Sequence, residues 1–140
     1  MRHRPGFTVA ALLLAAFALT PARAAQDDSI NVELNSVEGV QGHCRMAFVV
    51  DNKDEVALQT LKLDLAVFNR EGVVQRRLVI EMGPVRRAKT MVRTFEIDGD
   101  CWQIGSILVN DVTACAPGEP GACLDRLTLS SRVSGIRLYK

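Results

Sequence analysis

The stretch LKLDLAVFNREGVV, residues 61–74, determines the fold that this sequence predicts. Its first eight residues alternate without a break between two sets, which are Leu61, Leu63, Leu65 and Val67 on one face and Lys62, Asp64, Ala66 and Phe68 on the other. Such alternation is typical of a strand with one buried face. The same stretch also has a helical spacing, at Leu58, Leu61, Leu65 and Phe68. The segment NREG at 69–72 supplies a hairpin turn into the next apolar run, which favours the strand. We therefore expect the leucines to face a core and Asp64 to be a surface charge.

Strand-like runs continue on both sides of this stretch and are separated by short turn-forming segments. They cover residues 30–35, 44–50, 74–82, 91–97 and 106–115, and 124–139 is one long strand or two short ones around Gly135. The run 106–115 carries Ile107 and Val109 on one face and Leu108 and Val112 on the other, which indicates a central strand covered from both sides. No convincing amphipathic helix interrupts the series. The pattern predicts an all-β fold, an antiparallel immunoglobulin-like β-sandwich of about seven strands.

The N-terminal residues have the features of a secretory signal peptide. Arg2 and Arg4 precede an uncharged apolar run of 11 residues at 9–19, and small residues at Ala22 and Ala24 precede a cleavage site. The run is shorter than the roughly 20 residues of a spanning helix. We therefore expect residues 1–24 to be removed and residues 25–140 to form a single domain with no transmembrane segment. The predicted location is the periplasm or the medium, reached by Sec-type export.

Charge and cysteine content further narrow the classes of protein to which this chain can belong. The mature part would hold 14 basic and 16 acidic residues, which excludes the basic surface of a nucleic-acid-binding domain. The mature part contains four cysteines, Cys44, Cys101, Cys115 and Cys123. Their even number and the absence of a C-x-x-C motif favour disulfides over zinc binding or thiol-redox chemistry. Three pairings are formally possible. The seven residues between the last two include two Pro-Gly turns, which favours Cys115–Cys123 and leaves Cys44–Cys101.

Catalytic and metal sites find little support in the sequence. The mature part has one histidine, His43, and its neighbour Cys44 would point to the opposite face of a strand. No nucleophile-elbow motif is present, so a hydrolase built from distant residues is only a minor alternative. His43, Met46, Met82 and Met91 are ligand types that suit copper, but the methionines on apolar faces are more typical of a core. We expect no catalytic residue, no metal and no cofactor, with copper or small-ligand binding as the alternative function.

The remaining feature is a cluster of basic residues that includes a single acid, Glu81, in its span. Its members are Arg76, Arg77, Arg86, Arg87, Lys89 and Arg93. A solvated face that discourages edge pairing is one interpretation. The other is a patch for an acidic protein partner or for anionic lipid headgroups. The sequence thus predicts an exported binding or accessory module whose partner is another exported or envelope protein.

Several segments together resemble small exported bacterial proteins that carry the label "Tat pathway signal sequence domain protein". These segments are INVELN at 30–35, CRMAFVVDN at 44–52, LKLDLAVFNREGVV at 61–74, RRLVIEMGP at 76–84, IGSILVNDVTAC at 104–115 and SSR at 130–132. The segment 61–74 is also similar to the strand–turn–strand of FxLYD-type immunoglobulin-like domains. The resemblance implies export and a β-rich fold, and it brings no catalytic residue. Arg2-His3-Arg4 is not a twin arginine, which is why Sec export is expected.

Overall fold

The computed structural model describes residues 29–140. The predicted signal peptide at 1–24 and its cleavage site lie outside this range. Within it the chain forms these elements in order: β1 (Ile30–Val40), β2 (His43–Asn52), β3 (Thr60–Asn69), β4 (Val74–Glu81), β5 (Lys89–Asp98), a 3-10 helix (Cys101–Gln103), β6 (Ile104–Ala116), α1 (Pro120–Arg126), β7 (Leu127–Ser131) and β8 (Arg137–Tyr139).

The strands form two four-stranded sheets with the orders β5-β2-β1-β7 and β4-β3-β6-β8. The all-β sandwich is therefore confirmed, with eight strands in the described range instead of about seven. The prediction of a wholly antiparallel arrangement is wrong for two pairs, because β7 lies parallel to β1 and β8 lies parallel to β6. Both parallel strands are short edge strands, and each is reached after the chain has crossed from one sheet to the other. Such crossings leave no trace in the alternation of side chains.

The core lies between the two sheets and confirms the alternation of β3. Leu61, Leu63 and Leu65 are fully buried, and Val67 is 2% exposed. They pack with the inward side chains of β1 and β2, which include Val32, Leu34, Met46 and Phe48. Because apolar burial contributes roughly 25 cal/mol per Å², this aliphatic layer is the main source of stability. The helical alternative for β3 is excluded.

Strand β6 departs from the predicted two-sided burial. Its pairing with β3 shifts register three times, and Val109 and Val112 oppose Leu65 and Leu63 respectively. Because each bulge inserts an extra residue, two valines three positions apart share the core face. Leu108, which opposes Ala66 on the outer face, is only partly buried. The prediction that β6 buries apolar side chains on both faces is therefore wrong.

The chain between β6 and β7 is helical, whereas the sequence predicted turns followed by a strand from residue 124. Pro120 stands in the first turn of α1, where its missing N–H is not needed. The backbone N–H of Cys123 donates to the carbonyl of Glu119 at 3.0 Å. Residues 124–126 thus belong to α1, and β7 begins only at Leu127.

Both predicted disulfides are confirmed. Cys44 in β2 is bonded to Cys101 at the start of the 3-10 helix, with the Cα atoms 4.9 Å apart. Cys115 near the end of β6 is bonded to Cys123 in α1, with the Cα atoms 6.5 Å apart. The two bonds lie at opposite ends of the sandwich, because Cys101 immediately precedes β6 and Cys115 almost completes it.

Asp64 is not the surface charge that the alternation predicted. It points away from the core, yet only 8% of the residue is exposed. Its carboxylate accepts hydrogen bonds from the Arg77 guanidinium of β4 and, at 2.8 Å, from the Asn110 side-chain amide of β6. These bonds from Arg77 and Asn110 hold the pKa of Asp64 below its usual value. The outer face of the second sheet therefore carries a partly buried ion pair at its centre.

Candidate functional site

One end of the sandwich gathers the 3-10 helix, the β3–β4 turn and the end of β5. The Cys44–Cys101 bond ties the 3-10 helix to β2. Gly105, just beyond it, lies so close to the β3–β4 turn that an added Cβ would stand 2.6 Å from the carbonyl oxygen of Asn69. Arg70 of that turn donates from Nε to the carbonyl of Trp102 at 2.6 Å. These contacts fix the 3-10 helix against the hairpin and build a rigid frame.

Two adjoining clefts open within this frame, with volumes of about 290 and about 270 Å³. Gln75 and Gln103 line both of them, so the clefts form one depression. We call this depression the end cleft. Its lining includes Phe68, Arg70, Glu71, Gln75, Arg76, Asp98, Asp100, Trp102 and Gln103.

Trp102 is the most exposed large apolar residue of the described range, at 65%. It is also the only tryptophan in the chain. Tryptophan is usually well buried in folded proteins, and it is enriched where one side of the ring meets a partner. The disulfide at Cys101 and the hydrogen bond from Arg70 hold the backbone of Trp102, so the exposed indole is attached to a fixed segment of the chain.

The polar side chains beside the indole have free hydrogen-bonding capacity. In residues 29–140 the amides of Gln75 and Gln103 and the indole N–H of Trp102 make no hydrogen bond to the protein, although many other polar side chains there do. A glutamine amide offers two donors and an acceptor. The end cleft therefore presents an apolar ring flanked by neutral donors and acceptors.

Two charged groups of the end cleft, Arg76 and Asp98, are paired with each other. Arg76 approaches Asp98 through Nη1 at 3.5 Å, and its Nη2 donates to the Asp98 carbonyl at 3.4 Å. His43 Nδ1 lies 3.0 Å from the other oxygen of the same carboxylate. Because Arg76 belongs to β4 and Asp98 to β5, this contact bridges the two sheets across the cleft. The lining as a whole holds two guanidinium groups and three carboxylates.

The structure does not bring the predicted basic cluster together on one face. Arg76 and Arg93 lie on the inward side of β4 and β5, whereas Arg77 points outward with Asp64. Arg93 donates to the carbonyls of Met82 at 3.0 Å and Pro84 at 2.9 Å.

The other three members, Arg86, Arg87 and Lys89, lie in and just after the β4–β5 connection and are exposed. Arg87 is 3.6 Å from Glu55. The six side chains therefore do not all point to one face, because neighbouring residues on a strand point to opposite faces. A partner for these basic residues stays a prediction.

The residues that the sequence suggested as copper ligands are also separated in the structure. Met46 and Met82 are fully buried in the core, while His43 lies on the opposite face of β2 from Met46. Across residues 29–140, no three histidine, cysteine or acidic side chains are grouped closely enough to hold a metal ion. Cys44 is disulfide-bonded and is therefore not available as a nucleophile beside His43. Over the same range no helix is long and apolar enough to cross a membrane.

Fold and site together define an all-β, disulfide-bonded sandwich with a cleft at one end. No family model and no curated protein matches the chain. The solved structure of IrmA from Escherichia coli is similar, with a TM-score of 0.57 and 14% identity over 72% of this chain and 90% of IrmA. At this identity the similarity supports the shared fold alone. The family resemblance and the immunoglobulin-like designation from the sequence stay predictions.

Sequence reasoning missed the end cleft. The segment DGDCWQ at 98–103 contained a usable signal, since a chain with a single tryptophan places it directly after a disulfide cysteine in a turn-rich stretch. A tryptophan in a turn, away from any alternating run, is not expected to belong to the core. The partners that surround it come from residues 68–76, and only the fold brings those residues to the tryptophan.

Proposed function

We propose that the chain is an exported, non-catalytic binding module and that the end cleft is its binding site. The observation that carries the proposal is the exposed indole of Trp102, held on a disulfide-fixed 3-10 helix beside unpartnered glutamine amides. An exposed aromatic ring on a rigid support is typical of binding hot spots, because little conformational entropy is lost on contact.

The chemistry of the end cleft supports binding more than catalysis. Its free neutral polar groups are the amides of Gln75 and Gln103 and one indole N–H, which are neither nucleophiles nor bases at neutral pH. His43 is not part of its lining and is already paired with Asp98. These groups can select and orient a ligand, and they offer no activated atom for a covalent step.

Export is supported by the disulfides together with the predicted signal peptide. Disulfides form and persist mainly in oxidising compartments such as the periplasm. Both pairs in this chain have ordinary separations between their Cα atoms. The ligand that we propose is consequently an exported or envelope component.

The proposal is tested by capture from a cell-envelope fraction on three immobilised proteins: the mature domain, its Trp102→Ala variant and its Val92→Ala variant. Val92 is a matched control because it is 62% exposed and lies on the outer face of β5, away from the end cleft. Bound material is analysed for protein by mass spectrometry and for sugar by acid hydrolysis and chromatography. We expect material retained by the parent and by Val92→Ala to be lost with Trp102→Ala. Equal retention on all three proteins would exclude the end cleft as the site.

A further inference from the structure

We infer that the ligand of the end cleft is a neutral saccharide. The inference rests on the proposed function, since it names the chemical class that the same cleft would take. Three features of the cleft carry it: an exposed indole, unpartnered amides, and a set of charged groups in which carboxylates outnumber guanidinium groups.

The indole of Trp102 can pack against the apolar face of a sugar ring. A pyranose ring presents its C–H groups on its faces and its hydroxyls around its edge, so it covers a flat aromatic ring while its hydroxyls remain free. Trp102 offers a large flat surface that is 65% exposed, and its neighbours Arg70 and Cys101 hold its backbone in place. Covering this surface removes apolar area from water without burying a polar group.

The side-chain amides of Gln75 and Gln103 can form hydrogen bonds with the hydroxyls of a sugar. Each hydroxyl both donates and accepts a hydrogen bond, and a side-chain amide does the same through separate atoms. Gln75 and Gln103 line both parts of the cleft and have no protein partner within residues 29–140. Two such amides beside one indole are suited to a ring with hydroxyls on two sides.

The charges argue against an anionic ligand. The Arg76 guanidinium faces the Asp98 carboxylate, and the Arg70 Nε donates to the Trp102 carbonyl. Glu71 and Asp100 add two carboxylates to the lining, which would repel an anion and can accept hydrogen bonds from hydroxyls.

The size of the cleft argues for a small ligand. Its two parts have volumes of about 290 and about 270 Å³, so the whole depression lies in the lower half of the range of about 300–1,000 Å³ for small-molecule sites. One or two sugar rings fit these limits better than a folded partner.

The experiment uses the intrinsic fluorescence of Trp102, which reports the cleft directly because no other tryptophan contributes. The mature domain is titrated with glucose, galactose, N-acetylglucosamine and their disaccharides, and in parallel with glucuronic acid and glucosamine as charged sugars of the same ring size. We expect a saturable change in emission with at least one neutral sugar and weaker binding of its charged counterparts.

Matched glutamine variants test the assignment within the cleft. Gln75→Ala and Gln103→Ala should each weaken binding about tenfold, the loss expected when one or two hydrogen bonds are removed. Gln59→Ala is the control, because Gln59 is exposed and immediately precedes β3, at the opposite end of the sandwich. Equal affinity in all three variants would overturn the inference.

The outcomes separate this inference from the proposed function. Tighter binding of a charged sugar, or no response to any saccharide while Trp102→Ala still abolishes capture of envelope protein, would overturn the saccharide and leave the binding module intact. Loss of both the fluorescence response and the Trp102-dependent capture would overturn both.

Discussion

The two ends of the sandwich treat their polar groups in opposite ways. At the end that carries α1, which we call the helix end, Glu81 accepts hydrogen bonds from the Thr60 hydroxyl at 2.5 Å and from the N–H groups of Leu61 and Gly83 at 2.8 Å each. Asn52, which is fully buried there, donates to the Val56 carbonyl at 2.9 Å. At the other end the end cleft leaves an indole N–H and two amides without protein partners in the described range.

This difference separates stability from binding. Buried polar groups are almost always hydrogen-bonded, and breaking one such bond costs about 1–3 kcal/mol. The helix end follows this rule and therefore contributes to folding. The end cleft keeps its polar groups exposed to water, where they cost little and remain free for a ligand. Substitutions at the two ends should thus have opposite effects on stability and on binding.

The largest loss of stability is expected when the disulfide at the end that carries the end cleft is removed. In the chain-entropy model, removing the Cys44–Cys101 bond with its sequence separation of 57 costs about 4 kcal/mol. Removing the Cys115–Cys123 bond with its separation of 8 costs about 2.5 kcal/mol. Urea unfolding of the two double-alanine variants measures both losses. The cleft end would then depend on its disulfide more strongly than the helix end depends on its own. Equal losses in the two variants would contradict this distinction.

Glu81 should show the next largest effect. Glu81→Ala removes three hydrogen bonds and leaves two backbone N–H groups and a hydroxyl without their acceptor, so the free energy of unfolding should fall by about 2 kcal/mol. Glu38→Ala is the control, since Glu38 makes only an exposed contact with Arg45 at 3.5 Å and its loss should cost less than about 0.5 kcal/mol. Comparable losses in both variants, measured by urea unfolding, would show that the Glu81 bonds contribute little.

The same carboxylate predicts a dependence of stability on pH. Burial opposes ionisation of Glu81, but its bonds from Thr60, Leu61 and Gly83 outweigh burial and lower its pKa below 4.5. The pKa of Asp64 is also lowered, first by Arg77 and then by Asn110. A lowered pKa means that the unfolded chain binds the proton more tightly, so this stability is present above about pH 4.5 and is lost as the pH falls through the folded-state pKa.

Urea unfolding between pH 7 and pH 3 measures that loss. Glu81→Gln should flatten the acid limb of the curve, because its amide does not titrate in this range. The matched change in the end cleft, Glu71→Gln, should leave the limb unchanged. A limb of the same steepness in Glu81→Gln would assign the acid sensitivity to other carboxyl groups.

The sequence predicted the parts of this molecule that follow from local periodicity. The alternation of β3 located its buried face, and Pro-Gly turns with an even cysteine count located both disulfides. The sequence did not predict contacts between residues that lie far apart in the chain. Asp64 is partly buried only because Arg77 and Asn110 approach it from neighbouring strands, and the parallel pairing of β7 depends on a crossing between sheets. The end cleft belongs to this second kind, since residues around 68–76 and 98–103 meet only in the folded chain.

The smallest effect on stability should come from the end cleft itself. Trp102→Ala, Gln75→Ala and Gln103→Ala remove exposed side chains that make no hydrogen bond within residues 29–140, so each should change the free energy of unfolding by less than about 0.5 kcal/mol. The same three variants should show the largest loss of binding in the capture and fluorescence experiments. A loss of stability above about 1 kcal/mol in any of them would mean that this side chain stabilises the fold. The contrast between the two ends would then fail at that position.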